Sequence, residues 1–129
     1  MDASAALAYF QQEKGQDRVE AALDEGPCWM SAVNLCEVRG KLREKGMPSD
    51  DAQAAVDDLR MTVVGFDAES AMDTALLREF TKAIGASLGD RACLALAQQA
   101  LRNQFTPIVI TAEHAWTKLK WPFKIAVIR

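Results

Sequence analysis

The chain has 129 residues, 50% of them hydrophobic and 26% charged, which is typical of a soluble globular protein with a single domain over residues 1–129. No apolar run approaches the roughly 20 residues that span a bilayer, and the chain does not open like a signal peptide, so we expect a cytoplasmic protein. Fifteen Lys and Arg against eighteen Asp and Glu give a net charge of −3, which argues against binding of nucleic acid by bulk positive charge alone. An enzyme that cuts nucleic acid at a local metal site remains open.

The hydrophobic pattern alternates helices with short apolar strands. Helices are predicted over residues 3–12, from a cap at Asp17, over 31–45, over 49–59, from Asp67 or Ser70, from a capping box at Ser87 to Leu101, and over 113–119. Strands are predicted at 27–30, 62–65, 107–110 and 125–128. This alternation predicts an α/β domain with a parallel sheet, although no strand precedes the first helix.

The few cysteines and the single histidine limit the chemistry. Cys28, Cys36 and Cys93 are widely spaced and form no CxxC pair, so we predict three unpaired thiols and no zinc cage. Cys36 and Cys93 lie in apolar helical patterns and are predicted to be small buried residues. Because His114 is the only histidine, a zinc site with several imidazoles is excluded. Any chemistry is expected to depend on carboxylates.

Two acidic residues in the first half of the chain have unusual positions. Asp2 opens the first predicted helix, where it acts either as an N-cap or as a metal ligand. Glu37 lies mid-helix among apolar residues, and Asn34, three residues earlier, is placed to hydrogen-bond its carboxylate. The alternative for Glu37 is a surface ion pair with Lys41, four residues later.

Two more acidic residues follow in the second half. Asp90 lies in the first turn of its helix, in line with the apolar stripe. Either the helix dipole or a bound metal would stabilise a negative charge at this position. Glu113 follows strand 107–110, where it either starts the next helix or belongs to a functional site. All four acidic residues fall near carboxyl ends of strands, which is where open α/β sheets place their functional crevice. Ser4 and Thr111 are hydroxyls beside two of them, suited to local capping bonds or to orienting water or a carboxylate.

Carboxylates without histidine suit Mg²⁺ or Mn²⁺, which prefer oxygen ligands and retain several waters. Such an ion activates water and neutralises the charge that develops on a phosphoryl group. The sequence therefore indicates a hard divalent cation and hydrolytic chemistry on phosphates.

Four segments resemble, in order, the signature segments of PIN-domain ribonucleases, with the VapC-type toxins of toxin–antitoxin pairs as the nearest match. The segments are residues 2–5 (DASA), 31–38 (SAVNLCEV), 87–97 (SLGDRACLALA) and 111–116 (TAEHAW). The resemblance implies a three-layer α/β/α fold with a parallel central sheet, Mg²⁺- or Mn²⁺-dependent endoribonuclease activity, homodimerisation and inhibition by a VapB-like antitoxin. It also implies that Asp2, Glu37 and Asp90 are the three core catalytic and metal-binding acids. Glu113 matches the fourth catalytic and metal-binding position, where the family more often has Asp.

We therefore expect a cytoplasmic endoribonuclease toxin whose metal-activated water attacks RNA. Four basic residues either hold RNA or form a solvated face: Arg39, Lys41, Arg43 and Arg91. Two departures from the family pattern, Glu113 and a first strand of which only Met1 remains, keep open a catalytically weak or inactive PIN-fold binding module. The reduced strand also predicts a weaker sheet and a loosely held Asp2. A phosphatase-like hydrolase with Asp2 as nucleophile ranks below both, because residue 4 is Ser where an Asp-x-Asp pair needs Asp.

Overall fold

The computed structural model describes residues 1–129 and has the predicted α/β organisation. The helices are α1 (Ala3–Phe10), α2 (Gln16–Glu25), α3 (Ala32–Glu44), α4 (Ser49–Asp58), α5 (Ala68–Thr81) and α6 (Leu88–Arg102). The strands are β1 (Trp29–Ser31), β2 (Thr62–Val64), β3 (Ile108–Thr111) and β4 (Lys124–Val127). Two 3-10 helices complete the chain, Lys82–Ile84 and His114–Lys118, the second in place of the helix predicted at 113–119. None of the helices is long and apolar enough to cross a membrane.

Polar side chains cap four of the six helices, because the first backbone N–H groups of a helix have no partner within it; the cap of α1 is Asp2. The Ser31 hydroxyl accepts from the Val33 N–H at the start of α3. Asp67 caps α5, which settles the choice between Asp67 and Ser70. Ser87 caps α6 as part of the predicted capping box.

The start of α2 differs from the prediction. The N-cap is Gly15 rather than Asp17, which lies within the first turn of α2. Gly15 has φ 97°, a left-handed conformation that favours glycine, and a Cβ there would lie 2.7 Å from the Ile128 carbonyl oxygen. Contact with the far end of the chain therefore decides where α2 begins.

The strands form two parallel pairs, β1 with β2 and β3 with β4, and the first two residues lie between them. The Met1 amine donates to the Trp29 carbonyl at 2.8 Å, and the Asp2 N–H donates to the Ile110 carbonyl at 3.1 Å. Residues 1–2 therefore lie in the position of a central strand, giving the order β2, β1, residues 1–2, β3, β4. Asp2 is tied to the strand on one side and, through Met1, to the strand on the other, so it is not loosely held.

Two apolar clusters stabilise the fold and place α1, α3 and α6 side by side. The larger cluster contains the alanines of α1 together with Met30, Val38 and Leu42, and the smaller contains Leu94 and Trp116. The small side chains of α1 allow α3 to approach closely, and α3 also packs against α6. The helices that carry Asp2, Glu37 and Asp90 at their starts or along their faces thus meet at one end of the strands.

The three cysteines are free, as predicted. Cys93 is buried in α6, and Cys28 is partly buried. The prediction was wrong for Cys36, which is exposed. Cys36 directly precedes Glu37 on α3, and the pattern of apolar neighbours did not show that this part of the helix faces solvent.

Candidate active site

One polar cavity of about 340 Å³ is lined by all four acidic residues singled out from the sequence, Asp2, Glu37, Asp90 and Glu113. Only two of its eleven lining residues are hydrophobic. The cavity lies at the starts of α1 and α6, along one face of α3 and beside the residues that follow β3, at the carboxyl ends of the strands. This composition suits a hydrated or charged ligand and disfavours an apolar one.

Asp2 is the most deeply placed of the four, with 2% of its surface exposed. Its carboxylate accepts from the Ala5 N–H at 2.9 Å, from the Ser4 hydroxyl at 2.8 Å and from the Thr111 hydroxyl at 2.9 Å. Asp2 is thus the N-cap of α1 and a wall of the cavity at once. Burial raises the pKa of Asp2 to about 6, and these hydrogen bonds oppose the rise without cancelling it.

Glu37 is held by the amide of Asn34, as the sequence predicted. Asn34 Nδ2 donates to Glu37 Oε2 at 3.1 Å and to the Gly89 carbonyl at 3.0 Å. Desolvation raises the pKa of Glu37, and the nearby negative charge of Asp90 raises it further. The alternative ion pair with Lys41 does not form, because Lys41 pairs with Glu44 at 2.9 Å.

Asp90 completes the capping box of α6. Its Oδ2 accepts from the Ser87 N–H at 2.8 Å, and its own N–H donates to the Ser87 hydroxyl at 3.1 Å. Capping therefore accounts for one carboxylate oxygen, while the residue also lines the cavity.

Glu113 is exposed at the mouth of the cavity. Its N–H donates to the Thr111 hydroxyl at 2.9 Å, but its carboxylate has no hydrogen-bond or ion-pair partner.

The hydroxyls of Ser4 and Thr111, both identified from the sequence, hydrogen-bond to the Asp2 carboxylate and to nearby backbone N–H groups. The Ser4 hydroxyl donates to Asp2 and accepts from the Ala112 N–H at 2.9 Å.

No cation pairs with the four acids. The ion pairs of the protein are Lys41 with Glu44, Arg102 with Asp73, and Arg129 with Glu13. Like charges that share a cavity repel each other, so this arrangement favours binding of a positive ion. Lys41 lines the cavity, whereas Arg91 is directed at the Thr74 and Ser87 carbonyls, and Arg39 and Arg43 lie outside the cavity lining.

The carboxylate oxygens are ligands of the type that a divalent ion prefers, but they are not arranged as a preformed coordination sphere. No three His, Cys, Asp or Glu side chains lie close enough together to surround an ion directly. Three of the carboxylates are instead hydrogen-bonded to neighbouring protein groups. Mg²⁺ tolerates this, because it keeps several waters and uses one or two carboxylates.

Two further observations fit an ion site near Glu37. Asn34 Oδ1 is buried without a partner. A Cβ on Gly89 would overlap the Glu37 carboxylate, lying only 2.5 Å from its Cδ, so the missing side chain makes room for this group.

The sequence analysis did not identify Gly89 or Glu44, which also lies beside the site as a cavity-lining residue. For Glu44 the signal was its spacing of seven residues from Glu37 on the same helix face.

The chain matches the model of the PIN domain over residues 1–119. It belongs to the PIN domain family. PIN domains are in general metal-dependent nucleases, so membership gives this protein a nuclease-type hydrolase function and the α/β PIN fold. Comparisons with curated proteins and with solved structures found no match to this PIN domain.

Proposed function

We propose that this PIN domain is a Mg²⁺- or Mn²⁺-dependent endoribonuclease that acts as a VapC-type toxin in the cytoplasm. The observation that carries the proposal is the polar cavity that four carboxylates line without an ion-pair partner. Family membership supports the nuclease part, and the four sequence segments described above support the toxin type.

Asp2, Glu37 and Asp90 are the proposed metal-binding residues, with Glu113 acting at the mouth. A bound ion supplies an activated water and neutralises charge on the phosphate. Ser4 and Thr111 hold the Asp2 carboxylate in place. The partner-free carboxylate of Glu113 is placed to orient a water or to accept its proton. Lys41, in the cavity wall, is placed to attract a backbone phosphate of RNA.

A catalytically weak or inactive binding module is the second candidate. It is favoured by the separation of the carboxylates and by Glu113 at a position where the resemblance implies Asp. A metal titration separates the two candidates, because an inactive binding module of this kind does not need to bind Mg²⁺.

For partners, we propose a second copy of the chain and a VapB-like antitoxin. The α5 face that carries Met72, Leu76 and Phe80 is exposed by 66%, 74% and 48%. These residues are four apart and form one stripe along the helix, suited to antiparallel packing against its own copy. Such packing would place the acidic start of one α5, at Glu69, opposite Lys82 at the end of the other. Leu76→Glu is expected to convert a dimer to a monomer in sedimentation equilibrium; a wild-type monomer would contradict the dimer.

The antitoxin is expected to insert a basic segment into the acidic cavity, because four carboxylates without an ion-pair partner attract Lys and Arg. A short Arg-containing peptide should inhibit cleavage, and added Mg²⁺ should relieve the inhibition. A peptide of the same length with Gln in place of Arg is the control.

The test of the proposed function is cleavage of total RNA by the purified protein with Mg²⁺, with Mn²⁺ or with EDTA. The wild type should cleave only with a divalent ion, and Asp90→Asn should not cleave. Product ends provide a control, because hydrolysis by a metal-activated water leaves no 2′,3′-cyclic phosphate, whereas a contaminating metal-independent ribonuclease does. Equal cleavage by wild type and Asp90→Asn would contradict the proposal.

A further inference from the structure

Asn34 connects the candidate site to two helices. Only 1% of its surface is exposed, and its amide nitrogen donates both to Glu37 on α3 and to the Gly89 carbonyl on α6. Both partners can only accept, so the amide must present its nitrogen to them. The other amide atom, Oδ1, is buried without a partner, and leaving a buried acceptor unsatisfied lowers the stability of a protein. Stability alone therefore does not explain an Asn at this position.

Gly89 supplies the space into which Glu37 extends. It is buried in the first turn of α6, and a Cβ there would overlap Glu37 Oε2 and lie 2.5 Å from both Cδ and Oε1. Its φ is not in the left-handed region, so the backbone does not require glycine. Alanine has a higher helix propensity than glycine, so helix stability alone would favour alanine here. The contact with Glu37 is the feature that accounts for glycine here.

We infer that Asn34 and Gly89 are positioning residues that together fix the Glu37 carboxylate beside the start of α6 and so set the affinity of the site for its divalent ion. Asn34 binds Oε2 and leaves Oε1 without a protein partner. Gly89 allows the carboxylate to lie next to Asp90, the following residue, so that the two acids act on the same ion. This inference depends on the proposed function for its metal, although the placement of Glu37 can be tested without one.

The atoms that a Cβ on residue 89 would meet belong to the end of a flexible side chain. Gly89→Ala is therefore expected to fold and to move the Glu37 carboxylate, with a melting temperature equal to or above that of wild type. Asn34→Ala removes both hydrogen bonds and releases the same carboxylate. Thr74→Val is the matched control for Asn34, because the Thr74 hydroxyl is also buried without a partner but lies outside the cavity lining. Gly65→Ala is the control for Gly89, because its Cβ would meet nothing within 4 Å.

The experiment measures the Mn²⁺ dissociation constant of the full chain by titration calorimetry without RNA, together with melting in EDTA. Asn34→Ala and Gly89→Ala should each bind Mn²⁺ about 10–100-fold more weakly than wild type, the range expected when a partner of a ligand is removed. Both controls should bind like wild type. In a Glu37→Gln background the Gly89→Ala change should have no further effect, because both act through one carboxylate.

Unchanged Mn²⁺ affinity in both variants, with binding by the wild type, would overturn the inference and leave the proposed function intact. Absence of Mn²⁺ binding by the wild type would instead overturn the proposed function. The ¹³C resonance of the Glu37 carboxyl carbon then tests the positioning in metal-free protein. It should move in Gly89→Ala and stay in place in Gly65→Ala; an unmoved resonance in Gly89→Ala would overturn the positioning role.

Discussion

Replacing Asp2 by Asn should stabilise the metal-free protein at neutral and alkaline pH. Burial raises the pKa of Asp2 from its ordinary value of 3.8 to about 6, so the folded protein holds this proton more tightly than the unfolded chain does. The stabilising contribution is complete below pH 3.8 and is lost as the pH rises through 6. The difference between 3.8 and about 6 corresponds to about 3 kcal/mol lost at pH 8.

The asparagine side chain is neutral and similar in shape to that of Asp2, and its amide can replace most of the hydrogen bonds to Ala5, Ser4 and Thr111. One poorly formed hydrogen bond would reduce the gain in the free energy of unfolding by about 1 kcal/mol. We therefore expect Asp2→Asn to exceed wild type by about 1–3 kcal/mol at pH 8 in EDTA, and to match or fall below it near pH 4.

Urea unfolding at several pH values between 4 and 8, always with EDTA, measures this difference. Added Mn²⁺ should narrow the gap at pH 8, because the ion binds the charged wild type and not the variant. If Asp2→Asn were less stable than wild type at pH 8, or if both proteins lost stability equally between pH 4 and 7, the reasoning about the buried charge would be refuted.

Three further predictions concern the fourth acid, the α6 start and the thiols. Asp90→Asn should abolish detectable RNA cleavage, whereas Glu113→Gln should leave a reduced, measurable rate, because the exposed Glu113 acts through water. If Glu113→Gln and Glu113→Asp were both inactive, Glu113 would instead be a direct metal ligand with its own required geometry. Asp90→Asn should change the unfolding free energy by less than about 1 kcal/mol, since Asn still accepts from the Ser87 N–H; a larger loss would mean that inactivity reflects unfolding. Thiol titration in denaturant without reductant should count three free cysteines, and a count of one would contradict the unpaired assignment.

Features that depend on neighbours in sequence were predicted well. The caps at Ser31 and Ser87 follow from side chains that satisfy the N–H groups of the next turn, and the bond from Asn34 to Glu37 follows from helix spacing. The apolar strand 107–110 was placed within one residue of β3. These signals are local, so one segment of sequence contains them whole.

Features that depend on distant contacts were not predictable in the same way. The position of residues 1–2 between β1 and β3 depends on carbonyls of Trp29 and Ile110, far along the chain. The space above Gly89 depends on Glu37, which lies on another helix. The sequence showed that four carboxylates follow strands; it did not show that each is hydrogen-bonded differently or that Glu113 alone is free of partners.

Crystals grown with Mn²⁺, with diffraction data collected for its anomalous signal, test most directly the claim that the acidic cavity is a divalent-metal site. We predict a peak inside the cavity lined by Asp2, Glu37, Asp90 and Glu113, with at least one carboxylate oxygen near the roughly 2.1 Å at which Mg²⁺ binds oxygen and waters completing the coordination. The peak should disappear in Asp90→Asn. An empty cavity at saturating Mn²⁺, or a peak bound only by residues elsewhere on the surface, would contradict the account.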